Sequence, residues 1–393
     1  MNKYILHTGI QLFINKNWNA DIMSVLLKKP IFKEVSQKEL VEQLEAKKKC
    51  KTKLPTWFKT PNIYYPNKLH IEQTSSEITA QYKANNITGN SVLDLTGGLG
   101  VDSYFMSQKM SQIYHCEINE KLSEIAAHNF NQLGVNNCTF IPENGLDFLH
   151  RTELFFDWIF CDPSRRNDRK EKVFLLSDCL PNIPKHLNFI LNKTKHFLLK
   201  TSPLLDLSIG IKELKFVKEI HVVAINNDVK ELLWFLEKDV KDKIVVKTIH
   251  IKNEIAEKFE FILSNEKSAV TSYSLPLDYL YEPNSAILKS GAFKSLGAHF
   301  KVAKLHEHTH LYTSPNLVDF PGRAFKIEAI YPYNKKVIQK LKIVKANIST
   351  RNFPDSVAVI RKKLKIKDGG NLFLFFTTAI DNRLIVLVCS KLV

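Results

Sequence analysis

At 393 residues the chain exceeds what one ordinary core of about 150 residues holds, so two or three domains are expected. Hydrophobic residues make up 44% and charged residues 24%, with only 13 Gly and 15 Pro; that composition excludes a largely disordered chain. The formal net charge of +16, from 48 Lys and 8 Arg against 40 acids, admits a polyanionic partner only if the charges gather on one surface. The excess of Lys over Arg, with abundant Ile and Asn, has genomic base composition as a competing explanation.

The segment Met1–His7 turns polar at Gln11 and carries no secretory pattern, and no stretch approaches the 18 or so apolar residues of a membrane span. A soluble, cytoplasmic protein without a membrane partner is expected. Six cysteines without a CxxC pair predict neither a metal site nor a disulfide framework.

In chain order, residues 1–70 read as a helical segment, with Ser36 and Glu39 forming a capping box at one helix start. A basic run follows at Lys47, Lys48, Lys49, Lys51 and Lys53. Pro55, Pro61 and Pro66 punctuate a loop before a helix over 75–84. From Ser91, short apolar runs alternate with helical stretches, the pattern of a parallel sheet with crossover helices. Strands are expected at 91–95, 112–117, 138–142, 157–161, 196–201 and 218–225. Paired strands at 243–251 and 258–263 follow, and a late antiparallel strand is expected to close a seven-stranded, Rossmann-like α/β sheet. After a break at 264–273 comes an α+β module: strand 278–282, helix 284–296, strand 323–331, helix 334–343, strand 347–352, helix 355–364, and a hairpin of 371–378 with 383–392. The expected division is 1–70, 71–265, 275–320 and 321–393.

The first strand ends at Asp94 and runs into Thr96-Gly97-Gly98-Leu99-Gly100. Glycines there let bare backbone approach a ligand at the carboxyl edge of the sheet. Glu117 ends the next strand, placed to accept ribose hydroxyls. Asn144-Gly145 follows the third strand near the adenine edge, and Asp162-Pro163-Ser164 follows the fourth, facing a substrate. An acid at Asp94 would repel a dinucleotide's pyrophosphate, whereas the amino group of a methionine end tolerates it. The set therefore favours S-adenosylmethionine over NAD.

These residues resemble the bacterial class I methyltransferases that carry C-terminal ferredoxin-like and THUMP-like domains. The resemblance covers Val92 to Asp102, Glu117 and Asp162-Pro163-Ser164-Arg165-Arg166. It extends to Tyr281 to Lys289 and His308 to Tyr312 in the ferredoxin-like part, and to Thr350 to Pro354 and Lys367 to Gly370 in the THUMP-like part. It implies that residues 71–265 form the methyltransferase domain, that Glu72 to Ala80, with Thr74, covers the cofactor, and that Ile118 joins the cofactor set beside Glu117. It also implies a structured RNA substrate, tRNA or rRNA.

Amine-directed enzymes of this class commonly follow the acid with two prolines and an aromatic ring; Asp162-Pro163-Ser164-Arg165-Arg166 lacks the ring. Asp162 remains the residue expected to orient or deprotonate a nucleophile, with Pro163 and Arg165 beside it. Arg165, Arg166 and Arg169 either clamp phosphates or carboxylates or pair with Asp168 and Glu171. From Pro321 to Lys367 there are 13 Lys or Arg and two acids. Within this stretch Lys335, Lys336, Arg351, Lys362 and Lys363, with Arg166, are the expected RNA contacts. His306, His308 and His310 would share a face of one strand, yet a polar surface explains them without a metal. Phe373 to Phe376 reads as a core strand. Two other readings stay open: an RNA-binding protein whose S-adenosylmethionine domain is catalytically degenerate, and a methyltransferase acting on a substrate other than RNA.

Overall fold

Near-continuous apolar runs such as Val92-Leu93 and Phe197-Leu198-Leu199, all fully buried, are what a strand covered on both faces requires. The computed structural model describes residues 1–27, 29–164, 175–240 and 243–392. The first sheet contains β1 (Ser91–Asp94), β2 (Gln112–Cys116), β3 (Cys138–Ile141), β4 (Phe156–Cys161), β5 (Thr194–Thr201), β6 (Val217–Ile225), β7 (Asp228–Glu237), β8 (Val245–Lys252) and β9 (Ile255–Ile262). Its strand order is β3-β2-β1-β4-β5-β7-β6-β8-β9. The chain divides into two compact units, residues 1–217 with 233–241 and residues 218–232 with 242–393.

In the first unit β1 lies parallel to both β2 and β4, β2 parallel to β3, and β4 parallel to β5. The chain steps outward from β1 through β2 to β3 and then returns to the other side of β1 as β4. That reversal opens a crevice at the carboxyl ends of β1 and β4, where ligands bind in open α/β sheets. Helices Val101–Ser107, Glu120–Gln132 and Gly145–Arg151 connect these strands.

The N-terminal helices belong to this unit. Ser36 and Glu39 cap the helix Gln37–Lys53 reciprocally, as expected, and the hydrogen bonds from Asn2 and Ser36 hold the Glu39 carboxyl below its usual range. The basic run on that helix is not one solvated face. Lys47 is buried, donating to the Phe58 carbonyl at 3.0 Å and to Tyr65 Oη at 3.2 Å. Lys49 pairs with Glu72 at 3.1 Å, and Lys51 lies over the Trp18 ring.

Sequence patterning missed β7, which stands between β5 and β6 in the strand order; the expected late pair is β8 and β9, and β9, antiparallel to β8, is the edge strand that ends the sheet. Asn226 and Asn227 adopt φ of 51° and 63°, the left-handed turn geometry that asparagine tolerates and that joins adjacent antiparallel strands. In the first unit, the β7 residue Trp234 is fully buried and its indole N–H donates to Thr201 Oγ1 at 2.9 Å. A Cβ on Gly210 would lie 2.4 Å from the same ring.

In the second unit β6 runs parallel to β8, and β8 pairs antiparallel with β9. The second sheet follows: β10 (Tyr279–Pro283), β11 (Ala303–His306), β12 (Thr309–Ser314), β13 (Gly322–Pro332), β14 (Asn347–Arg351), β15 (Leu372–Thr378) and β16 (Leu384–Leu392), in the order β11-β12-β10-β13-β16-β15-β14. Alternation along β15 and β16 builds two cores. Phe375, Leu387 and Cys389 pack in one with Phe325. Leu374, Phe376 and Val386 pack in the other with Ile338 and Ile360. The phenylalanine run is thus core, as expected. The three histidines do not share a strand: His306 ends β11, His308 lies in the turn and His310 is on β12, stacked on Phe293 at 3.5 Å. The expected helix over 284–296 is broken at Gly291 into Ser285–Ser290 and Phe293–Phe300. Among the described residues no cluster of His, Cys, Asp or Glu has metal-ligating geometry, and no helix is long and apolar enough to cross a membrane.

Because Trp234 fills a closed slot against Gly210, Trp234→Ala is expected to cost roughly 3–5 kcal/mol. Urea unfolding checks this; a change below 1 kcal/mol would show that β7 is not anchored by this ring.

Candidate active site

At the end of β1, Asp94 is only 1% exposed. Its Oδ1 accepts the Thr96 N–H at 3.0 Å and its Oδ2 accepts Ser103 Oγ at 2.6 Å, which ties the glycine turn to the helix behind it. Burial pushes its carboxyl up to about 7, against the lowering effect of these two hydrogen bonds.

Two glycines in the turn are there for different reasons. A Cβ on Gly97 would fall 2.2 Å from Nε2 of His115, a fully buried ring whose pKa desolvation drives down to about 4, so that it is neutral at neutral pH. Gly98 has φ of 58°, and a Cβ there would meet nothing closer than the Thr96 carbonyl at 3.9 Å. Its side-chain direction is open space at the cavity it lines. The Gly98 N–H donates to Glu117 Oε2 and the Asn119 N–H to Glu117 Oε1, both at 2.8 Å. Glu117 thereby fixes the turn while each oxygen keeps a second lone pair.

Upstream, His70 and Gln73 of the helix Lys68–Gln73, with Thr74 and Ser75, form one wall. Ser75 Oγ donates to Asp102 Oδ2 at 2.7 Å, and the fully buried Lys83 donates to Ser75 Oγ at 3.2 Å and lies 3.1 Å from Asp102 Oδ1. At the end of β4 the Asp162 N–H donates to Thr96 Oγ1 at 2.7 Å, and the Asp162 carboxylate is bonded by the Lys200 ammonium from β5. These elements enclose a cavity of about 240 Å³ whose wall carries four carboxylates, Asp94, Asp102, Glu117 and Asp162. Such a wall favours a ligand with cationic groups and disfavours a polyphosphate.

Seven expected residues, Thr74, Asp94, Thr96, Gly97, Gly98, Glu117 and Asp162, line this one cavity. Others serve nearby. Gly100 starts the next helix at φ of 83° with Phe130 against it. Asn144 caps the helix Gly145–Arg151, and Gly145 leaves room for the Leu95 carbonyl. Ile118 is 70% exposed, and Pro163 is buried. Arg165, Arg166 and Arg169, with Asp168 and Glu171, lie outside the described residues. Sequence reasoning missed Lys200, although it sits one residue before the end of β5, on the sheet edge that supplied Asp94, Glu117 and Asp162. It also missed the Lys83–Asp102 pair, whose partners are separated by a strand and a loop.

In the second unit Lys335, Lys336 and Lys362 are exposed. Lys363 is bonded to Asp355 at 2.8 Å. Arg351 donates to Glu282 at 2.6 Å, and Arg323 binds the other oxygen of that buried carboxylate.

Residues 279–321 match a ferredoxin-like domain and residues 322–391 a THUMP-like domain. Over nearly its whole length the chain is similar to the crystal structure of a candidate methyltransferase from Porphyromonas gingivalis W83. The identity is 33%, the match covers 99% of this chain and 98% of that one, and the TM-score is 0.90. The chain belongs to this methyltransferase family. It is a class I enzyme with C-terminal ferredoxin-like and THUMP-like domains. Two other solved structures are similar over 41% of this chain: an rRNA methylase from Streptococcus thermophilus (14% identity, 94% of that chain, TM-score 0.31) and a candidate methyltransferase from Streptococcus mutans in complex with S-adenosylhomocysteine (12%, 96%, 0.31). No curated protein matches.

Two outcomes follow for this methyltransferase. Glu117→Ala frees the Gly98 and Asn119 N–H groups; with charge-assisted hydrogen bonds worth about 1.5–3 kcal/mol, urea unfolding is expected to show a loss of stability of that order. The Asp94 carboxyl titrates near 7 when folded, against an ordinary value of 3.8. The folded state therefore holds more protons than the unfolded one between these values, and stability from this group falls as pH rises through about 7. Relative to Asp94→Asn, the wild type is expected to lose melting temperature between pH 5 and pH 8; a constant difference would contradict this.

Proposed function

We propose that this methyltransferase binds S-adenosylmethionine in the cavity between β1 and β4 and methylates a structured RNA, tRNA or rRNA, held by its C-terminal module. The observation that carries the cofactor reading is the wall of four carboxylates around a glycine turn. Glu117 has lone pairs for ribose hydroxyls, the open side of Gly98 admits the ligand's body, and the acidic wall suits a sulfonium and an amino group while repelling a pyrophosphate. Residues 71–265 would then form the catalytic domain, and 275–320 with 321–393 the substrate-holding part.

Bound there, S-adenosylmethionine supplies an electrophilic methyl group on a positively charged sulfur. The chain's own contribution is to hold the nucleophile close and to take its proton, which falls to Asp162. The RNA reading rests on the family's THUMP-like domain and on the exposed Lys335, Lys336 and Lys362, which provide phosphate contacts.

Thermal shift separates the cofactors: S-adenosylmethionine and S-adenosylhomocysteine are expected to raise the melting temperature and NAD to leave it unchanged. Replacing Lys335, Lys336 and Lys362 together by Glu is expected to flatten the log–log salt dependence of binding to bulk tRNA or rRNA by about 0.7–0.9 per lost contact. An unchanged slope would remove the basic surface from the RNA reading.

A further inference from the structure

The Lys200 side chain is only 12% exposed, and it ends on Asp162 Oδ2. A largely buried ammonium is costly unless it is paired, and Asp162 supplies a pairing carboxylate. Asp162 is also fixed from a second side, since its N–H donates to Thr96 Oγ1 and the Thr96 N–H donates to Asp94. A continuous run of hydrogen bonds therefore crosses the carboxyl ends of β1, β4 and β5, from Asp94 through Thr96 and Asp162 to Lys200. Within it, Asp162 is one-third exposed and lines the cavity. Among the described residues its Oδ1 accepts no hydrogen bond.

We propose that Lys200 is a positioning residue for methyl transfer: by holding Oδ2, it leaves Oδ1 of Asp162 as the proton-accepting group on the cavity wall. The proposal rests on the cofactor reading above. In the step it serves, a lone pair on the acceptor atom forms the bond to the methyl carbon. The carbon–sulfur bond breaks with its electron pair returning to sulfur, and the acceptor's proton passes to Asp162 Oδ1. The substrate class that fits is an acceptor carrying its own hydrogen, a hydroxyl or an amine, in preference to a ring nitrogen without one. A lysine that merely braced β4 against β5 would alter stability and leave ligand selectivity alone. One that merely screened charge would, on removal, strengthen binding of a cation beside Asp162.

Calorimetry with S-adenosylhomocysteine and with sinefungin, which carries a protonated amine in place of the sulfonium methyl, distinguishes these roles without a methyl acceptor. The wild type is expected to bind sinefungin about tenfold more tightly, and Asp162→Asn to bring the ratio near one. Lys200→Met is expected to do the same, while Lys200→Arg, which keeps charge and reach, holds the ratio within about twofold of wild type. An unchanged or increased ratio in Lys200→Met overturns the proposal. Should that variant fail to fold by circular dichroism, Lys200→Gln, which removes the charge and keeps a polar side chain, takes its place: a ratio near one supports positioning and an unchanged or increased ratio refutes it. If the wild type binds neither compound, the cofactor reading itself fails and the proposal with it.

Discussion

The site depends on one constraint: the side-chain and backbone hydrogen bonds that hold the carboxyl ends of β1 and β4 in register around Thr96. Its N–H is spent on Asp94 and its hydroxyl accepts the Asp162 N–H. One small residue thus fixes the acid before the glycine turn and the acid after the neighbouring strand. The parallel sheet makes this possible, because adjacent parallel strands deliver their last residues to the same edge.

Charge inside the cavity is handled by burial and pairing together. Four carboxylates line about 240 Å³, an arrangement with strong self-repulsion unless cations offset it. Two lysines do so from behind the wall, the fully buried Lys83 at Asp102 and the part-buried Lys200 at Asp162. Neither comes from the glycine turn, so the turn's backbone stays clear for a ligand. Among the described residues Asp94 has no such counter-ion; its compensation is two hydrogen bonds, and burial still raises its carboxyl to about 7.

In the second unit the same physics limits how much of the positive charge is available. Arg351 and Arg323 share the buried Glu282, Arg361 pairs with Asp368 and Lys363 with Asp355. The guanidinium groups, suited to fixed bidentate geometry, are used to hold strands and loops, whereas lysines such as Lys335, Lys336 and Lys362 remain exposed. A charge count along residues 321–367 therefore overstates the free basic surface.

Sequence by itself determined the glycine turn, Asp94, Glu117 and Asp162, because each ends a short apolar run and strand ends are local signals. It also determined the capped helix at Ser36 and the core character of Phe373 to Phe376, both set by spacing within a few residues. Only the tertiary structure decided that Lys47 is buried, that Lys83 and Lys200 face acids far along the chain, and that β7 enters the sheet between β5 and β6. Those outcomes rest on which distant surfaces meet. The energy that makes a lysine a buried partner instead of a solvated one arises from desolvation and pairing in the folded chain, which no local pattern encodes.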